Sequence, residues 1–225
     1  VGAEKEHEYV DIFLNNYYPA YLNEKNKELF DEICKKLKFI SNNDKSILLK
    51  NPFDYPNFLK IKEFYPKAKF IFIHRNPLAV INSAMKTWKS HFSNKNNYMD
   101  LYSENYSKFY NNPVLRTIMK FYYCFKFPFG IFGEIIKANY GNKCYLENID
   151  KLDKKDYVEI TYENLCKNPN KNMKKIFDFL GIKTNIDYRK YISPRKLNLS
   201  LEVYFLKEYI YKKMKSYFIN FGYDK

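Results

Sequence analysis

Two periods alternate along the 225 residues of this chain. From Asn23 to Ile40 the apolar residues Leu29, Phe30, Ile33, Leu37 and Ile40 recur at three- and four-residue spacing, which predicts a helix with one apolar face. A polar break follows at Ser41 to Lys45, and the short run SILLK, Ser46 to Lys50, then reads as a buried strand. Tyr55 to Phe64 reads as a helix that ends before Pro66. The run AKFIFIH, Ala68 to His74, has no polar alternate face and predicts a second buried strand. A helix from Pro77 to Trp88 follows it. The stretch from Ser90 to Asn148 is helical or irregular, rich in Tyr and Asn, and carries no repeat. YVEITYENL, Tyr157 to Leu165, predicts a third strand. Asn168 to Gly181 predicts a helix with Asn168 as cap, Pro169 in its first turn and Gly181 closing it. A last helix runs from Leu199 to Phe221. Strands alternating with helices imply an α/β fold with a mainly parallel sheet, in a single domain over residues 1–225 with no linker.

Composition makes a packed core feasible, with 46% hydrophobic and 20% aromatic residues. The net charge of +14 comes from 39 basic residues, of which only Arg75, Arg116, Arg189 and Arg195 are arginine. Such a charge suits an anionic ligand, an acidic substrate, a nucleic acid or an anionic membrane surface. The joint abundance of Lys, Asn, Tyr, Phe and Ile is also what an A/T-rich coding sequence produces. Cys34, Cys124, Cys144 and Cys166 are widely spaced, with no Cys-x-x-Cys and no Cys/His cluster of zinc type, so four thiols in or near the core are expected; two disulfides are the alternative. The apolar stretch Val114 to Ile136 is interrupted by Arg116, Lys120, Lys126, Pro128 and Gly130, which argues against a membrane span. It predicts an aromatic helix pair or lid, with membrane contact as the lesser alternative.

Chemistry gathers where the second strand ends, in His74-Arg75-Asn76-Pro77. Ligands of open parallel sheets sit at the carboxyl ends of strands. Asn76 can cap the next helix, and Pro77 suits its first position because no amide hydrogen is needed there. A helix start favours anions, and a guanidinium grips a phosphate through two parallel hydrogen bonds. Ser83 lies almost two turns beyond Asn76, so its hydroxyl returns to the capped face and can share one phosphate with Arg75. Alternation turns His74 away from Arg75, into packing.

The Arg75-Asn-Pro segment with Ser83 eight residues on, behind the strand FYPKAKFIFIHR, resembles the 3′-phosphate-binding segment of sulfotransferases that use 3′-phosphoadenosine-5′-phosphosulfate (PAPS). Upstream, LLKNPFDYPNFLKIKEFYPKAKF resembles the Lys-x-Pro strand end of the broad group that includes tyrosylprotein and carbohydrate sulfotransferases. Downstream, YVEITYENLCKNPNKNMKKIFDFLGI resembles the segment that closes the nucleotide site in that family. The resemblance implies a P-loop-NTPase-like sulfotransferase fold, PAPS as donor with no metal, and a hydroxyl-bearing acceptor on a carbohydrate or protein. It implies that Arg75 and Ser83 bind the 3′-phosphate and that Tyr162 lies near the adenosine. It implies that Lys50 meets the sulfuryl group and bridging oxygen, where a fixed cation stabilises growing negative charge. Asp54 is the nearby candidate for general base, with a helix cap as its alternative; Glu4, Glu6, Glu8 and His7 are looser candidates. Arg195 and Lys196, in SPRK, stand where the family supplies a late basic loop, although the glycine common there is missing. Glu163 is expected to bond loop amides beneath the site.

The sequence departs from the family at its start. None of its glycines, Gly2, Gly130, Gly133, Gly141, Gly181 and Gly222, lies in a strand-loop-helix phosphate cradle. Gly2 to Tyr9 instead resembles the acidic stretch that follows the first unit of the fold. Together with the missing initiator Met, this leads us to expect a chain shortened by its first βα unit, with little activity as it stands. The compartment stays open between cytoplasm and, given an upstream anchor, the Golgi lumen. The alternatives to a transferase are a non-catalytic nucleotide-binding relative and a basic nucleic-acid-binding protein. The dispersed lysines disfavour the last.

Overall fold

The computed structural model describes residues 7–8, 21–41, 46–102, 104–194 and 196–223. Strand β1 (His7–Glu8) is followed by helix α1 (Lys27–Ser41), strand β2 (Leu49–Lys50), a 3-10 turn (Pro52–Asn57), helix α2 (Phe58–Phe64) and strand β3 (Phe70–His74). Then come α3 (Pro77–Ser93), α4 (Asn97–Tyr102), α5 (Glu104–Asn111), α6 (Pro113–Cys124) and α7 (Gly130–Asn148). Strand β4 (Tyr157–Thr161) leads into α8 (Tyr162–Lys167) and α9 (Pro169–Leu180), and the chain closes with α10 (Leu201–Phe205), α11 (Lys207–Lys213) and α12 (Lys215–Asn220).

The architecture is mixed α/β, mostly helical, and its strands are parallel as expected. Among the described residues they form two separate pairs, β1 with β2 and β3 with β4, rather than one sheet. The SILLK run contributes only its last two residues, and Leu48 is exposed. Strand β3 buries Phe72 and His74 on one face and packs Ile71 against Val158, Ile160, Leu165 and Ile176 on the other, where Ile73 alone is about half exposed. The third predicted strand stops at Thr161, because the Thr161 side chain accepts the Asn164 amide and starts α8 there. Around Asn168 the structure corrects a detail: α9 has Pro169 in its first turn, but no side-chain bond from Asn168 caps it. Gly181 closes α9 at φ 72°, in the left-handed region where a Cβ is costly.

The predicted terminal helix is bent into α10, α11 and α12. Hydrogen bonds from Leu206 to Glu202, Ile210 to Leu206, Met214 to Ile210 and Phe218 to Met214 carry the helical pattern across the breaks. The bends wrap Val203, Ile210, Met214 and Phe218 around Ile81 and Met85 of α3 and Ile131 and Ile135 of α7, forming one apolar cluster. A second cluster, Phe58, Phe72, Tyr145, Ile149 and Leu152, packs beneath β3. These two clusters fix α3 and the β3 carboxyl end, where the candidate chemistry lies. No disulfide joins the four cysteines, and only Cys166 is buried. No helix among the described residues is long and apolar enough to cross a membrane.

Candidate functional site

Parallel pairing without offset sets His74 beside Thr161, so the residues that leave the two strands, Arg75 and Tyr162, emerge side by side. The Arg75 guanidinium lies over the Tyr162 ring, 4.6 Å from its centroid. A planar cation on an aromatic face is fixed in orientation while its edge stays available for ligands. Its Nε is buried and has no hydrogen-bond partner among the described residues. A buried N–H of a permanently charged group is costly to leave unpaired, so this edge is suited to an anion.

The start of α3 is built as the sequence predicts, with one consequence it did not reveal. The Asn76 side chain accepts the Leu78 amide at 2.9 Å, and its carbonyl accepts the Ala79 amide at 2.9 Å. The Asn76 amide donates to Glu163 at 3.1 Å. With these amides engaged, any grip on an anion here falls to the Arg75 side chain, with the helix dipole as background. Glu163 holds the loop from beneath as expected, and its other oxygen accepts the Tyr223 hydroxyl at 2.7 Å. Those two bonds engage the carboxylate while Arg75 keeps its stack on Tyr162.

His74 turns inward. It is 1% exposed, its Nδ1 is 2.9 Å from the Tyr217 hydroxyl, and its ring stacks on Phe221 at 3.8 Å between centroids. Through this contact the C-terminal helices brace the strand end directly. Burial holds the His74 pKa below its ordinary value, outweighing the upward pull of Glu159. Glu159 accepts a hydrogen bond from the buried Tyr145 hydroxyl, and its own pKa is lowered, first by His74. His74 is therefore a neutral packing residue.

Ser83 is exposed on α3, on the helix face that Asn76 begins. Its neighbour Asn82 is buried and was not singled out from the sequence. The Asn82 side chain donates to the Asn198 carbonyl at 3.1 Å and accepts the Ser200 amide at 2.8 Å. Lys86 adds a 3.3 Å bond to the same carbonyl. These bonds fasten the loop that carries Lys196 to the helix that carries Ser83. An asparagine at the same buried helix face as Ala79, Ile81 and Met85 is the signal that would have identified it. Lys196 is exposed. Arg195, Glu4 and Glu6 lie outside the described residues, and of His7 and Glu8 only the strand backbone is described.

Lys50 is exposed at the end of β2, opposite Glu8 in the parallel register. Asp54 is 5% exposed and its carboxylate is enclosed. It accepts the Leu22 amide at 3.1 Å, the Asn57 side chain at 3.1 Å and the Asn51 side chain at 2.9 Å. It thereby locks the segment before α1 onto the 3-10 turn. It does not cap α2, whose preceding residue is Asn57.

Against known proteins, the model of a family described as the sulfotransferase family matches residues 4–185. No curated protein matches the chain. Among solved structures the chain is similar to a sulfotransferase domain from the curacin biosynthetic pathway, at 16% identity and a TM-score of 0.42. That match covers 86% of this chain and 62% of the other, so the chain spans less than two thirds of that domain.

Proposed function

Because the chain belongs to the sulfotransferase family, we propose that it moves a sulfuryl group from PAPS to an acceptor hydroxyl on a carbohydrate or a protein. The observation that carries this reading is Arg75, stacked on Tyr162 with a buried, unpartnered Nε at a strand-to-helix turn. A 3′-phosphate is the part of the donor that such a fork matches. Arg75 and Tyr162 suit the 3′-phosphate and adenosine end of the donor.

The donor supplies an activated sulfuryl group. The chain's own residues do the rest by position and charge, as in phosphoryl transfer. Arg75 holds the 3′-phosphate, Ser83 adds a hydroxyl from the next turns of α3, and Lys196 brings positive charge on the loop that Asn82 fastens to that helix. Tyr162 keeps the Arg75 fork in its plane and adjoins the adenosine. Lys50 stabilises negative charge on the departing phosphate. Asp54 keeps an anchoring role, since its oxygens already accept three N–H groups.

A second reading, nucleotide binding without transfer, is favoured by the placement of the glycines among the described residues, none of which lies between a strand and a helix. The product 3′-phosphoadenosine-5′-phosphate (PAP) should raise the melting temperature under both readings. Transfer of label from PAPS to any member of a carbohydrate and protein acceptor panel supports the enzyme. Stabilisation by PAP without transfer to any of them favours the second reading, and no stabilisation by PAP contradicts both.

A further inference from the structure

Helices α6 and α7 carry apolar stripes that face outward. On α6 and the residue that ends it, Val114, Ile118, Phe121 and Phe125 recur at four- and three-residue spacing, and each is more than half exposed. Phe129, just before α7, and Phe132, Ile136 and Tyr140 along it continue the pattern, between 44% and 69% exposed. The two stripes meet in an open depression lined by Ile118, Phe121, Tyr122, Phe129 and Phe132. Ring contacts extend the surface to the bent C-terminal helices: Phe132 to Tyr209 at 6.4 Å and Phe127 to Phe205 at 5.6 Å. A contiguous apolar face of this extent on a folded protein marks an interaction surface.

Charge decides the occupant. Lys120 and Lys126 stand exposed beside the α6 stripe, and Arg116 lies on the same helix. Lys207 reaches over the Tyr204 ring at 4.9 Å and Lys213 over the Tyr209 ring at 5.6 Å, so their ammonium groups border the same face. Of the acidic groups nearby, Glu134 accepts the Trp88 indole N–H at 2.9 Å and Glu202 is buried against Lys89 at 2.5 Å, while Glu208 is exposed between Lys207 and Tyr209, so basic groups outnumber the exposed acidic one along this border. Exposed aromatics bordered by lysines that can snorkel are the composition of a surface lying in a lipid headgroup layer.

We propose that this α6–α7 face docks on an anionic lipid bilayer, with the aromatics entering the headgroup region and the lysines meeting lipid phosphates and carboxylates. The face belongs to neither the Arg75 site nor its chemistry, so its test needs no transferase activity. The whole chain should co-sediment with mixed phosphatidylcholine–phosphatidylserine vesicles at low salt, bind pure phosphatidylcholine vesicles about tenfold less, and be released by high salt. The triple change Phe121→Ser, Phe125→Ser, Phe129→Ser, at exposed positions, should abolish binding while the melting temperature stays within a few degrees. Lys120→Glu with Lys126→Glu should reduce binding to the anionic vesicles alone. Failure to bind anionic vesicles would overturn the proposal, as would binding that the triple change leaves intact. A wild-type dimer in light scattering that the triple change dissolves would assign the face to a second copy of the chain and overturn it too.

Discussion

At the scale of single residues, the account rests on a flat cation held by a ring. Arg75→Lys keeps the charge but loses both the planar fork and the stack on Tyr162, so PAP affinity should fall by roughly tenfold or more in calorimetric titration. Retention of wild-type affinity in that variant would show that charge alone suffices at this position. The turn that carries Arg75 was legible because local rules agree there: a strand end, an asparagine cap and a proline at the first helical position all point to one place. Asp54 was not legible in the same way. Its partners Leu22, Asn51 and Asn57 are partly remote in sequence, and three N–H donors converging on one carboxylate leave no sign in a linear pattern.

At the scale of elements, the fastening of the basic loop to α3 matters most. Asn82→Leu would fill the space but leave the Ser200 amide without its acceptor and the Asn198 carbonyl with Lys86 alone. The half-buried Ser200 amide, left without an acceptor, would cost about 1–3 kcal/mol at most. The expected result is a lower melting temperature, faster proteolysis within residues 193–200 and weaker PAP binding, with Arg75 untouched. Unchanged proteolysis of that loop would remove the fastening role. Helix periods were legible over α1, α3 and α9 because each buries one face. The bends that divide the last helix were not, since no proline or glycine marks them; they follow from wrapping around α3 and α7. The two-residue length of β2 was likewise hidden, because a short apolar run looks the same whether or not its flanks are exposed.

At the scale of the whole molecule, His74 links stability to pH. Its pKa is lowered in the folded protein, so the unfolded chain binds the extra proton as pH falls through the ordinary histidine value of about 6.5. The stabilisation is complete above that value and is lost below it. His91 is lowered by burial as well and acts in the same direction. The melting temperature should therefore drop between about pH 7 and pH 5.5, and His74→Asn should flatten but not erase that slope. A slope unchanged in His74→Asn would assign the effect to other groups. Parallel strand pairs and the abundance of helix were readable from the alternation of periods. The brace from Tyr217, Phe221 and Tyr223 to the strand end was not, since it joins residues sixty or more positions apart.

Whether Arg75 recognises a 3′-phosphate is decided by titrating the chain with PAP and with adenosine 5′-phosphate. The wild-type chain should bind PAP roughly 30-fold or more tightly than the nucleotide lacking the 3′-phosphate, a preference that charge-assisted hydrogen bonds of this kind supply. Arg75→Ala should reduce that preference to near unity while retaining its fold. Equal affinity of the wild-type chain for both nucleotides, or an undiminished preference in Arg75→Ala, would contradict the account.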